Sequence, residues 1–258
     1  MKTRNKVLAG LATVAIIAVG VVVYITQFKD STKTYSWRYK MTVVVDTPEG
    51  EKSGSAVREI VAQVRPYPRD TQRPWRSLVK VKGEAVVVDL GERGVLFALT
   101  TPDDDNYAYQ AFPYNGGKGG GETTPEGIKY YANLDAGLKA PLDPTRYPGY
   151  PQMVTFTDMN DPMTVKNLIE RNWDKSQGQY PIRYEITNSH FEEYFGEGVK
   201  LKEITLEITD EPIAWGIEKY LPWLDDVGGG HLNGEFLGGG PELSNILHGG
   251  NFKLGEKQ

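Results

Sequence analysis

From Ser36 to Asp46 the chain alternates. Trp37, Tyr39, Met41, Val43 and Val45 take one parity, while Arg38, Lys40, Thr42 and Asp46 take the other. A period of two sends these sets to opposite faces of a strand. Pro48 and Gly50 supply a turn, and Ile60, Ala62 and Val64 share a face in the run that follows. The pair predicts a long β-hairpin. Ala85–Leu90 and Val95–Thr100 are nearly all apolar around a turn at Gly91 to Gly94, which predicts the central hairpin of a sheet. Another strand is expected at QMVTFT. A further one is expected at VKLKEITLEIT, where a phase shift between Leu201 and Ile204 predicts a bulge.

Helical periodicity is scarcer. Thr124 is placed to cap a helix that begins at Pro125 and runs to Lys139. Pro212 opens a second stretch, with Ile213, Ile217, Tyr220 or Leu221, and Leu224 along one stripe. Pro222 must kink or end it. The pattern predicts a mostly β fold, with α+β as the variant: an N-terminal transmembrane helix, then one β-rich globular domain with a few short helices. Two smaller β domains meeting near Gly116–Gly121 is the alternative. The expected divisions are a basic cytoplasmic tail at 1–6, a transmembrane anchor at 7–28, a linker at 29–34, the β-rich extracytoplasmic domain at 35–227 and a glycine-rich C-terminal extension at 228–258.

The anchor rests on Val7 to Phe28, an uncharged run that as a helix reaches roughly 33 Å, enough for a bilayer core. A cleavable signal peptide is the rival reading, but Tyr24 to Phe28 makes a poor cleavage site. Basic residues flank both ends, so charge alone barely orients the segment. A short amino tail before a large domain fits a signal anchor, which places the domain outside the cytoplasm. In a bacterium that means the inner membrane, with the domain in the periplasm.

Composition narrows the chemistry. There is no cysteine, which removes disulfides, thiolate metal sites and cysteine nucleophiles. The three histidines are His190, His231 and His248, too few for histidine-rich metal chemistry. No cofactor and no metal are expected. Every Asp and Glu follows the anchor, so the exported part is more acidic than the whole chain's formal charge of −5. That argues against nucleic acid as a partner. It also argues against a broad anionic-lipid surface, apart from the basic stretch beside the membrane.

The glycine-rich tail matches neither a P-loop, nor a dinucleotide fingerprint, nor a calcium β-roll repeat. Three-glycine runs are costly to order, so a loosely held extension is expected. Its one ordered part is expected at Pro241–Leu247, where Leu243, Ile246 and Leu247 fall at helical spacing between Phe236 and Phe252. Asp158 to Met163 resembles the start of an EF-hand loop but reads better as an Asp-Pro turn. Asp103 to Asn106 reads as a solvated turn rather than a calcium loop.

Two groups remain as candidate sites. Tyr107, Tyr109, Tyr114, Tyr130, Tyr131, Tyr147 and Tyr150, with Phe112, form the densest aromatic series. Exposed tyrosines stack on sugars or line protein interfaces; buried ones fill a core with wet hydroxyl ends. His190 shares a helix face with Glu193, an arrangement in which one group orients the other for acid–base work.

The stretches VTFTDMNDPMTV, FGEGVKL, ITLEITDEPI, SGSAVREI and GEAVVVDLG together resemble bacterial single-pass membrane-anchored envelope proteins with no assigned activity. The resemblance implies an inner-membrane, envelope-facing protein and supplies no catalytic residue. The expected function is therefore a non-enzymatic, membrane-anchored envelope protein that binds or scaffolds another envelope protein. A glycan- or peptidoglycan-binding module using the tyrosines is the alternative, and a hydrolase using His190 with a carboxylate is a third.

Overall fold

The computed structural model describes residues 16–22, 32–67, 75–116, 121–174, 183–213, 215–235 and 239–255. Most of the expected anchor lies outside these residues. Residues 16–22 are helical and exposed, and no helix among the described residues is long and apolar enough to cross a membrane.

The fold is mostly β, with antiparallel sheets and short helices. The alternating hairpin forms as β1 (Lys33–Thr47) and β2 (Gly50–Pro66), in continuous register from Lys33↔Val64 to Thr47↔Gly50. β1 thus begins inside the expected linker. β3 (Trp75–Glu84) pairs with β2, and β11 (Lys200–Ile208) pairs with β1. Opposite Val44 and Val45 the β11 partners jump from Glu203 to Leu201, the bulge expected from the phase shift. β6 (Lys139–Pro141) and β12 (Lys253–Leu254) complete a sheet ordered β12-β3-β2-β1-β11-β6.

A second sheet lies against it. β4 (Val86–Asp89), β5 (Val95–Ala98), β7 (Met153–Phe156) and β8 (Val165–Asn167) run in the order β4-β5-β7-β8. The apolar hairpin is therefore β4 and β5, with β4 at the edge rather than at the centre. Its lack of alternation follows from burial on both faces. One face (Val86, Val88, Leu96, Ala98, Met153) packs on Tyr39, Met41, Val43 and Ile60 of the six-stranded sheet. The other (Phe97, Leu99, Val154, Phe156) packs on the C-terminal chain. A Cβ on Gly54 would stand 1.8 Å from the Val87 carbonyl oxygen, so the two sheets meet there only because that side chain is absent. β9 (Ile169–Asp174) and β10 (Arg183–Ser189) form a separate two-stranded ribbon.

The helices are shorter than the sequence predicts. Thr124 caps as expected, its hydroxyl accepting from Gly127 N at 3.1 Å, but the helix ends at Tyr131. From Gly137 the chain turns onto the sheet, where Gly137 N donates to Ile208 O at 2.7 Å. The stretch opened by Pro212 forms no continuous helix. It is divided into a 3-10 turn at Ile217–Lys219 and a helical turn at Leu224–Val227. Gly216, at φ 146, breaks the first half, and the Glu84 carboxylate accepts from the N–H groups of Gly216 and Ile217.

The expectation of a loosely held tail is corrected. Leu232, Leu247 and Phe252 are buried in a core with Leu221, Trp223 and Leu224, under the small sheet. Phe252 packs within 6.1 Å, ring to ring, of Phe97, Phe156 and Trp223. Ala85 N and Thr100 N donate to the Phe252 and Asn251 carbonyls, both at 2.8 Å. The glycines permit close backbone approach: a Cβ on Gly249 would lie 1.9 Å from Gly228 O. Leu243–Ile246 is the expected short helix, although Ile246 faces solvent. Phe236 lies outside the described residues.

Candidate functional site

The tyrosine series divides by burial. Tyr107, Tyr109 and Tyr131 are inside, at 4%, 8% and 0% exposure. Tyr109 and Tyr131 pack with Trp37, their ring centroids 4.7–6.5 Å apart. These three tyrosines present no stacking face to a ligand; they are core. Burial pushes the Tyr107, Tyr109 and Tyr131 hydroxyls up, so all three stay protonated. The Tyr109 hydroxyl lies close to the Asp105 carboxyl without a hydrogen bond of good geometry.

Tyr114, Tyr130 and Tyr150 are half-buried and pack on the same core. Only Tyr147 is largely exposed, stacked on Tyr184 at 6.3 Å and 23°. Arg171 sits over the Tyr184 ring at 5.6 Å and donates to the Pro148 and Tyr150 carbonyls. Fixed aromatic and guanidinium planes of this kind suit a flat or carbohydrate partner. The series thus collapses to one small surface patch.

His190 stands at the start of the helix Phe191–Phe195. Its Nδ1 lies 2.6 Å from Glu193 Oε2 and its Nε2 lies 3.2 Å from Glu170 Oε1. Asn188 Nδ2 is also 3.2 Å from Nε2. Glu193, and then Glu170, raise the histidine pKa by stabilising the imidazolium. A ring that holds its proton between two carboxylates is a poor general base. The Glu193 pairing expected from the sequence is present. Glu170, brought over by β9, was not legible because it lies twenty residues away in the chain.

The structure corrects the expectation of a solvated turn at Asp103 to Asn106. Asp104 is fully buried and pairs with fully buried Arg58 at 2.7 Å. Arg58 also donates to the carbonyls of Glu84, Ala98 and Leu99, while Asp104 accepts from Thr101 N and Oγ1. Burial pushes the Asp104 carboxyl up, against the pull of Arg58 and Thr101. This pair joins β2, the end of β5 and the helix Asp105–Ala111. Its signal was available: Arg58 has the same parity as Ile60, Ala62 and Val64, a charge in the inward register. The Asp158 turn is as expected, with Asp158 accepting from Asn160 N and Asp161 from Met163 N. No group of three metal-ligating side chains occurs among the described residues.

Among the described residues, the grooves that open on the surface include two of note. One, of about 280 Å³, lies beside Glu84, Trp215, Gly216 and Tyr220, where the C-terminal chain crosses the sheet. Burial raises the Glu84 pKa, and the Gly216 and Ile217 N–H groups oppose this. The other, of about 440 Å³, lies at the end of the six-stranded sheet where β1 begins. It is lined by Lys33, Tyr35, Arg65, Trp75, Glu126 and Lys129, among others. Comparison of the chain with protein families, with curated proteins and with solved structures finds no match.

Proposed function

We propose that this chain is a membrane-anchored envelope protein whose β-rich domain lies outside the cytoplasm and works by binding another envelope protein. The observation that carries the reading is the start of β1. The uncharged segment Val7–Phe28 ends five residues before Lys33, the first residue of a strand with hydrogen-bonded neighbours on both sides. The anchor therefore leads directly into the middle of the main sheet, which suits a domain held at a fixed attitude to the membrane. The buried charges are taken up by the fold and lend the catalytic alternative no support. Arg58 and Asp104 are spent on each other and on backbone groups, and Glu84 on the turn at Gly216.

A glycan-binding reading is the second, favoured by the exposed Tyr147–Tyr184 stack with Arg171 beside it. Extraction of the full chain from membranes in mild detergent, followed by affinity capture after crosslinking, tests the first. A reproducible crosslinked protein partner is expected. Recovery of the chain alone and monomeric under several mild conditions would count against it. Co-sedimentation with purified cell-wall sacculi would favour the second.

A further inference from the structure

The six-stranded sheet has two unlike ends. β1 is 15 residues long, so its ends stand roughly 45 Å apart. At the end farther from the expected anchor, around the Thr47–Gly50 turn, basic groups meet carboxylates. Arg93 pairs with Glu49 at 2.7 Å, and Lys202 pairs with Glu51. At the other end, Lys33 pairs in register with Val64, Arg65 with Arg76, and Pro66 with Trp75. This register gathers Lys33, Arg65 and Arg76 at one place, and the helix Pro125–Tyr131 adds Lys129. All four are exposed, and none makes an ion pair among the described residues. Among the described residues, Glu126 is the single carboxylate lining the groove between them.

Aromatic rings stand among these cations. Tyr35 and Trp75 line the groove, half-buried, and the Arg76 guanidinium lies 4.5 Å from the centroid of the Tyr67 ring. Tyrosine and tryptophan between lysines and arginines is the composition of a membrane–water interface. The chain also enters from the expected anchor at this end, only a few residues before Lys33.

We propose that this end of the sheet rests on the membrane, and that the groove takes the headgroups of anionic phospholipids. The proposal rests on the anchored reading above. It adds that the domain is docked on the bilayer rather than hanging from a tether. A partner would then meet the outer surface and the far end of the sheet. Each basic group near an anionic surface strengthens docking by about fivefold.

The absence of cysteine makes the test direct. The full chain carrying Glu126→Cys, labelled with a fluorophore, is reconstituted into vesicles of neutral phosphatidylcholine, or of the same lipid with phosphatidylglycerol, each with a headgroup quencher. Lys52→Cys, near the far turn, is the control. Quenching at position 126 is expected to be several-fold stronger with phosphatidylglycerol and to fall towards the neutral-lipid value at about 0.5 M salt. It should fall likewise when Lys33, Arg65, Arg76 and Lys129 are all changed to Gln. Position 52 should stay unquenched throughout. The salt response of the chain without the four Gln changes keeps the test valid should that variant fold poorly. Equal quenching in both lipids, or none in either while the chain still floats with the vesicles, overturns docking and leaves the anchor standing. Self-quenching that grows with protein density would assign the groove to a second copy, and also overturns the proposal. Failure of the chain to float with vesicles defeats the anchored reading itself.

Discussion

Asp105 shows how one position responds to two opposed effects. It is the first residue of the helix Asp105–Ala111, where an ionised carboxylate is favoured by the N–H groups and dipole of the helix end. It is also buried, and burial raises its pKa to about 6. Burial wins because the charged form has lost its water and, among the described residues, no cation pairs with it. A carboxyl whose folded pKa is raised contributes its stability below the unfolded value of about 3.9, and loses it as pH rises through about 6. The wild-type chain should therefore lose about 2–3 kcal/mol from this group between pH 4 and 7. Asp105→Asn does not titrate, so its stability relative to wild type should improve over that interval. Denaturant titrations of both proteins at pH 4, 5, 6 and 7 measure the difference; a difference independent of pH would contradict the buried, uncompensated carboxyl. His190 behaves differently, because its raised pKa comes from Glu193 and Glu170. While the two carboxylates are ionised, the stability these contacts add is present below the unfolded imidazole value of about 6.5 and is lost as pH rises through the histidine's own higher value.

At the scale of elements, legibility follows the range of the causes. β1 was readable because one face is buried and one is not, so alternation is written into the run from Ser36 to Asp46. Thr124 was readable because capping is local. The end of its helix was not, because β11 supplies the competing hydrogen bonds from some seventy residues away. The C-terminal chain was misread for a related reason. Glycine runs carry a real entropic cost, but the compensation comes from Phe97, Phe156 and the backbone of Ala85 and Thr100, none of them near in sequence. Of the candidate site, the His190–Glu193 contact was local and legible. Burial of Tyr107, Tyr109 and Tyr131 was not, since an aromatic-rich sequence is the same for a surface and a core. The C-terminal chain is now expected to act as a structural layer. Phe252→Ala should cost about 3–5 kcal/mol, the range for a buried phenylalanine. Gly249→Ala should cost about 1–3 kcal/mol or more, since its Cβ collides with the Gly228 carbonyl. Denaturant unfolding of the two variants checks this. Wild-type stability in both would return the segment to the status of a loose tail.

For the whole molecule, three layers follow one another: the six-stranded sheet, the small sheet buried on both faces, and the C-terminal chain. The end of the sheet where β1 begins is basic and aromatic, while the end at the Thr47–Gly50 turn is ion-paired. The proposed function requires this body to be held at a membrane, outside the cytoplasm. The chain has no cysteine, so one introduced thiol reports on one place. Met163 is 53% exposed in a surface turn and takes no part in the grooves described above. In cells expressing the full chain as Met163→Cys, a small membrane-impermeant maleimide should label the protein before lysis, and the labelled chain should stay in the membrane pellet after a carbonate wash. Labelling that appears only after the inner membrane is permeabilised, or a chain released by carbonate, would contradict the account.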